Sequence, residues 1–313
     1  MAPRRFSPLG RQVWRQRIAP KNSPPNIESL TVIRQAYDRG VTKEFRFGVG
    51  LRVAKSLSSV QDEARRAEDL GFDVLHLPDH IGAPAPFPTL MAAAAATTTL
   101  RVGTFVLNAC FYKPALLARD VQALRDLSGG RFELGLGAGY AQHEFEAAEL
   151  RYPNARERVD YLAHVTEYMG EHLPDVPVLI AGNGDRLLTV AARQADIIGL
   201  TGGQPITEAS NPLADRIEFV RSAAGERFDD LELNIAITAL PRDESGEPDL
   251  SITRRALPGM SDEEMLATPA VLSGSTQDIA DTIRGYRDTY GVSYVIVQDK
   301  HAEAFSKVIA ELR

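Results

Sequence analysis

The chain has 313 residues, 44% of them hydrophobic and 25% charged, with a formal net charge of −7. This is an ordinary globular composition, and its acidic balance argues against a nucleic-acid-binding role. A single cysteine, Cys110, excludes an internal disulfide, and the most apolar run, 88–96, falls well short of the ~20 residues a membrane helix needs. No apolar signal-peptide core follows the N-terminal arginines, so a cytoplasmic protein without a membrane partner is expected.

Residues 1–43 stand apart from the rest. They carry Arg4, Arg5, Arg11, Arg15, Arg17, Lys21, Arg34, Arg39 and Lys43 against Glu28 and Asp38, and Pro3, Pro8, Pro20, Pro24 and Pro25 crowd the first part. Asn26 is placed to cap a short helix with Ile27, Leu30, Ile33 and Tyr37 on roughly one face and Gly40 at its end. Two readings of this basic N-terminal extension stay open. It packs on the body or on the partner subunit of a homodimer, or it docks an acidic partner or substrate.

From residue 45 onward, strand and helix patterns alternate. Strands are expected over 45–51, 73–77, 101–107, 132–136, 176–181, 197–200, 231–239 and 294–297. Helices are expected over 58–70, 89–97, 114–127, 154–173, 186–193, 212–224, 278–290 and 302–312. Ser58 or Ser59 caps the first helix and Gly71 stops it; Pro114 opens the third, which Gly129 and Gly130 end. Such alternation implies a parallel sheet, and eight units in about 250 residues imply a (β/α)8 TIM barrel over 44–313. A doubly wound open sheet would usually carry a glycine fingerprint after its first strand, and "GLRVAKS" is not one.

Barrels of this kind place their chemistry at the C-terminal strand ends. The stretch "LHLPDHIG" puts Asp79 and His80 just past the second strand. Alternation groups Leu75, Leu77 and Asp79 on one face; with the leucines facing the barrel interior, Asp79 stands above them at the mouth. The plainer alternative is a carboxylate capping a turn beside a satisfied loop histidine. A metal site built from His76, Asp79 and His80 is disfavoured, because alternation turns His76 away from Asp79 and no matching ligand cluster appears elsewhere. Further on, "AGNGD" follows a strand and opens a helix, a setting that favours an anion, and Arg186 is placed to add a charge-assisted bond. An ordinary glycine-containing turn is the alternative. "GLGAG" by itself means only a close backbone approach, and Cys110 reads as a small packed residue.

Several stretches together resemble the luciferase-like oxidoreductase superfamily, most of all its branch that uses the deazaflavin coenzyme F420. They are "FRFGVGL", "ARRAEDLGFDVLHLPDHIG", "TTLRVGTFVLNACFYKPALLARDVQALRDLSGGRFELGLGAGY", "VPVLIAGNGDRLLTVAARQADIIGL", "AAGERFDDLELNIAI" and "LSGSTQDIADTIRGYRDTYGVSYVIV", in order over most of 45–312. The resemblance implies a barrel with F420 at its mouth. It also implies hydride transfer between that cofactor and a small, natural-product-like substrate, as in reduction of an activated C=C or C=N bond. Carried over by position, Asp79 contacts the ring and His80 is the proton donor, with Tyr140 a second donor. Phe105, Val106 and Asn108 support the ring, at a place where an unusual peptide bond often sits. Ala138, Gly139 and Tyr140 approach the ring, His143 adds a polar contact, and Gly182, Asn183, Gly184, Arg186 and Leu187 form the phosphate loop.

Two departures from the family pattern matter. A longer insertion usually follows the helix that ends here near Leu173, and it often covers the site; the N-terminal arm is a candidate cover in its place. Members acting on sugar phosphates carry a glutamate where this chain has Tyr140, so neither that role nor that substrate is carried over. The rival expectations are an FMN-dependent monooxygenase of the same superfamily and a non-catalytic flavin- or deazaflavin-binding protein.

Overall fold

Nine short strands, every pairing parallel, close on themselves in a computed structural model that describes residues 43–52, 55–207 and 209–313. The expected helix of the N-terminal arm lies outside those residues. The strands are β1 (Arg46–Gly50), β2 (Val74–Leu77), β3 (Arg101–Thr104), β4 (Leu107–Asn108), β5 (Phe132–Gly137), β6 (Val178–Ala181), β7 (Ile197–Leu200), β8 (Glu232–Ala236) and β9 (Val292–Gln298). β1 pairs with both β2 and β9, and β3 and β4 both pair with β5, so β3 and β4 are two halves of the third of eight staves. The expected (β/α)8 barrel is the fold.

The third stave was expected to be continuous over 101–107. It breaks at Phe105–Val106, whose peptide bond is cis. At the break the Thr104 hydroxyl accepts from the Gly135 amide and donates to the Gly135 carbonyl, both at 2.8 Å. A Cβ on Gly135 would overlap the Thr104 carbonyl oxygen, so only glycine admits this approach.

The helices are α1 (Leu57–Asp69), α2 (Pro86–Ala94), α3 (Pro114–Leu127), α4 (Gln142–Ala147), α5 (Ala155–His172), α6 (Asp185–Gln194), α7 (Pro212–Ala224), α8 (Ser251–Ala256), α9 (Asp262–Leu266), α10 (Thr276–Tyr290) and α11 (Ala302–Leu312). Ser56, not Ser58 or Ser59, caps α1, in a reciprocal capping box with Ser59. α2 begins three residues earlier than expected because Pro86 and Pro88 suit a first turn, where no amide partner is needed. Short α4, α8 and α9 were not expected at all. Among the described residues no helix is long and apolar enough to cross a membrane.

Two buried clusters lie on either side of the sheet. Leu75, Leu77, Leu134, Ile198 and Val295 pack outward with Ala64, Val121, Ala191 and Phe305 of the helices. Val74, Leu179, Ile197, Tyr294 and Ile296 fill the lumen. Leu75 and Leu77 therefore face the helix layer, opposite to the face expected from alternation, and His76 shares the lumen with Tyr294. The helix ring offers the larger apolar surface, and burying a leucine there is worth about 1.5–3 kcal/mol.

Low in the lumen sits an ionic group. Arg46 bonds Glu133 at 2.6 Å and Glu232 at 2.5 Å, and its guanidinium lies 4.4 Å from the Tyr294 ring centroid. Tyr294 donates to Glu133 at 2.8 Å, which leaves its oxygen to accept from His76 Nε2 at 2.5 Å. Burial lowers the His76 pKa to about 4, with Arg46 adding to the effect against Glu133. His76 is thus neutral with its proton on Nε2, and Nδ1 has no partner.

Candidate active site

The strand ends open into a cavity of about 750 Å³, within the range of small-molecule sites. Asp79 and His80 reach it from the loop after β2. Asp79 lines it even though Leu77 points the other way, because the chain leaves the strand pattern after Leu77. Its Oδ2 accepts the Asn108 amide at 3.2 Å, and its carboxylate also takes the Tyr112 hydroxyl. Burial pushes the Asp79 pKa above the ordinary carboxylate value, Glu144 adds to the rise, and the bonds from Asn108 and Tyr112 oppose it. Burial, and then the Asp79 charge, raise the Tyr112 phenol, so Tyr112 stays a donor.

Asn108 ends β4 and caps the 3-10 turn that follows, accepting the Cys110 amide at 3.2 Å. Gly139 presses against this side chain. Its φ is +73°, and a Cβ there would overlap the Asn108 amide group. Arg158 holds the same loop by donating to the Gly139 carbonyl at 2.8 Å and to the Pro153 carbonyl at 2.6 Å.

His80 points its Nδ1 at Glu144 Oε1, 2.8 Å away. Tyr140 meets the imidazole edge-on at 6.3 Å and is 76% exposed at the rim. Glu144 is the residue that sequence reasoning missed; it had chosen His143. His143 is exposed and does not line the cavity, whereas Glu144, its neighbour on α4, is buried beside His80. The only signal for it was an acid in the first turn of a helix too short to show periodicity.

Of the expected phosphate loop, Gly182, Asn183 and Leu187 line the cavity, and Gly184 and Arg186 do not. Gly184 is the N-cap of α6 and offers no side chain to the first-turn amides. Arg186 is half exposed and pairs with Asp160 of α5. Phe105, Val106, Asn108, Ala138 and Gly139 all line the cavity as expected.

Much of the far wall comes from a stretch beyond residue 239 to which the sequence had assigned no element. Only 174–177 separate Leu173, the C-cap of α5, from β6, a direct passage as read from the sequence. The connection 237–275 carries α8 over the mouth. Thr253 bonds Thr238 at 2.8 Å, and Lys300 bonds Asp249 at 2.8 Å and Ser251 at 3.2 Å.

Fold and cavity together define a (β/α)8 barrel with a ligand site at its C-terminal strand ends. The sequence model described as luciferase-like monooxygenase matches residues 37–248, and the protein belongs to that family. Among its relatives, the 5,10-methylenetetrahydromethanopterin reductase of Archaeoglobus fulgidus is 27% identical over 180 residues, 51% of this chain and 54% of that one. The F420-dependent glucose-6-phosphate dehydrogenase of Amycolatopsis mediterranei is 29% identical over 224 residues, 61% of this chain and 67% of that one. The match thus spans between about half and two thirds of these relatives. In fold, the chain resembles the coenzyme F420-dependent tetrahydromethanopterin reductase of Methanopyrus kandleri, with a TM-score of 0.66 and 18% identity over 87% of this chain and 100% of that one.

Proposed function

We propose that the protein is an F420-dependent oxidoreductase of the luciferase-like family, acting on a small organic substrate. The observation that carries this reading is the Asp79–His80 pair, with His80 bonded to buried Glu144, at the cavity on the C-terminal strand ends. The relatives named for F420 or for a reductase support it.

The residues fit the cofactor in two respects. The uncapped first turn of α6 presents amides suited to a phosphate, and Phe105, Val106 and Ala138 line the cavity with apolar surface against which a flat ring can lie. When bound, F420 supplies or accepts the hydride. Asp79 holds a hydrogen-bonding edge of the ring in place through its carboxylate. Glu144 accepts Nδ1–H of His80 and so fixes the neutral tautomer with its lone pair on Nε2; the protonated ring delivers a proton from Nε2 to the product. Tyr140 is the second donor at the rim. His143, Gly184 and Arg186 act at the margin of the site, with Arg186 recruited from Asp160 by the phosphate. Reduction of an activated C=C or C=N bond is the proposed chemistry, in a cytoplasmic homodimer.

Titration of the purified chain with F420 and with FMN tests the cofactor. F420 is expected to bind at micromolar Kd, roughly −8 kcal/mol, and FMN more weakly. Turnover without oxygen supports the reading. FMN binding with an oxygen requirement favours the second reading, a monooxygenase, to which the family description points.

A further inference from the structure

The two sides of the cavity differ in character. The β2–β6 side carries Asp79, His80 and Glu144. The opposite wall is Leu200, Ala236, Thr238, Thr253, Leu257 and Ala270, none of them charged. Among the described residues lining the whole cavity there is no lysine or arginine.

Several cations on the flanking elements are engaged elsewhere. On α8, Arg254 pairs with Asp262 at 2.6 Å, and Lys300 below it pairs with Asp249. Arg216 pairs with Asp185, and Arg158 donates to the Gly139 carbonyl after β5 and the Pro153 carbonyl before α5. The wall's hydroxyls are also satisfied. Thr238 donates to the Ala270 carbonyl at 3.2 Å and accepts from Thr253.

We propose that this wall is the substrate subsite, that it takes an uncharged and largely apolar molecule, and that it rejects phosphorylated or carboxylated ones. The proposal rests on the reading of the cavity as a redox site. An anion seated on this wall would leave water for a surface without a lysine or arginine, in a cavity whose other side carries Asp79 and the Glu144 carboxylate bonded to His80, and desolvation opposes it. A neutral ring meets methyl and methylene groups on the far wall and loses little hydration. A sugar phosphate, as in the name of the dehydrogenase relative, finds no cation on this wall.

The test is a charge series on one ring. 2-Naphthamide, 2-naphthoate and glucose 6-phosphate are titrated into the full chain, with and without F420, by calorimetry and saturation-transfer NMR. Naphthamide is expected to bind about tenfold or more tighter than naphthoate, and glucose 6-phosphate to give no signal. Leu257→Lys, or exposed Ala256→Lys if the first fails to fold, is expected to raise naphthoate affinity about tenfold and to leave F420 binding unchanged. Equal binding of naphthamide and naphthoate, binding of glucose 6-phosphate to the F420-loaded chain, or no naphthamide binding at millimolar concentration overturns the proposal. Absence of F420 binding with the charge preference intact sinks the cofactor reading instead and leaves the neutral subsite standing.

Discussion

His80 Nδ1 lies 2.8 Å from Glu144 Oε1, and the two side chains differ sharply in exposure, 42% against 8%. A carboxylate set back from water beside a half-open imidazole orients that ring. If the pair works as a unit, His80→Ala lowers turnover about 10²–10⁴-fold. Glu144→Gln lowers it by about tenfold or more, and the double variant is no slower than His80→Ala alone. Additive losses, measured per folded and cofactor-loaded molecule, would show that Glu144 acts apart from His80.

Asp79 sets stability against binding. Its folded pKa is raised by burial, so the native state holds the proton more tightly than the unfolded chain does. The stabilising contribution of that proton is present at low pH and is lost as pH rises through the folded pKa; at neutral pH the ionised group is a liability. Asp79→Asn keeps an acceptor for Asn108 and removes the charge. It is expected to raise the thermal midpoint while F420 affinity and turnover fall. A lower midpoint with unchanged affinity would make Asp79 a structural cap and nothing more.

Arg186 and Asp160 form an exposed pair, and such pairs contribute about 0–1 kcal/mol to stability. Arg186→Ala should therefore leave the melting temperature nearly unchanged. If a phosphate at the α6 N-terminus recruits Arg186, the same variant weakens F420 binding by about 1.5–3 kcal/mol. Asp160→Asn, which frees the guanidinium, should tighten it. Identical affinities in both variants and the parent would leave the loop as a turn.

Buried imidazoles give the fold a second pH dependence. The pKa values of His76 and His301 are lowered to about 4 by burial, with cationic neighbours adding to it. Each binds fewer protons folded than unfolded, so stability falls with pH between about 6.5 and 4, by up to roughly 3 kcal/mol per group. Urea unfolding at steps from pH 7 to 4.5 checks this. A flat profile over that window would mean that neither ring is buried in its neutral form.

Periodicity alone yielded the eight strand–helix units because the staves are short and mostly apolar and several are bounded by Gly or Pro. It failed where a tertiary contact overrides local pattern. Leu75 and Leu77 alternate correctly, but nothing in a strand's own residues says which face meets the helix ring. The break at Phe105 depends on Gly135, thirty residues away in the chain, whose backbone takes the Thr104 hydroxyl. The site was half legible: Asp79 and His80 announced themselves as two titratable groups at a strand end. Glu144 did not, because its burial follows from where α4 docks. The far wall was only partly legible: Leu200, Ala236 and Thr238 fall in expected strands, but 240–275 shows neither strand nor long-helix periodicity, and α8 holds its place there through Thr253 and Lys300.

The Arg46–Glu133–Tyr294–His76 cluster stops the barrel like a cork. With the lumen below the cavity filled by packed side chains, the chamber has a closed floor and is reached from the strand-end side. Under the proposed function, a cofactor seated against that floor is expected to enter ahead of the substrate, and an excess of substrate to slow turnover instead of saturating it; steady-state rates at rising substrate concentration check this.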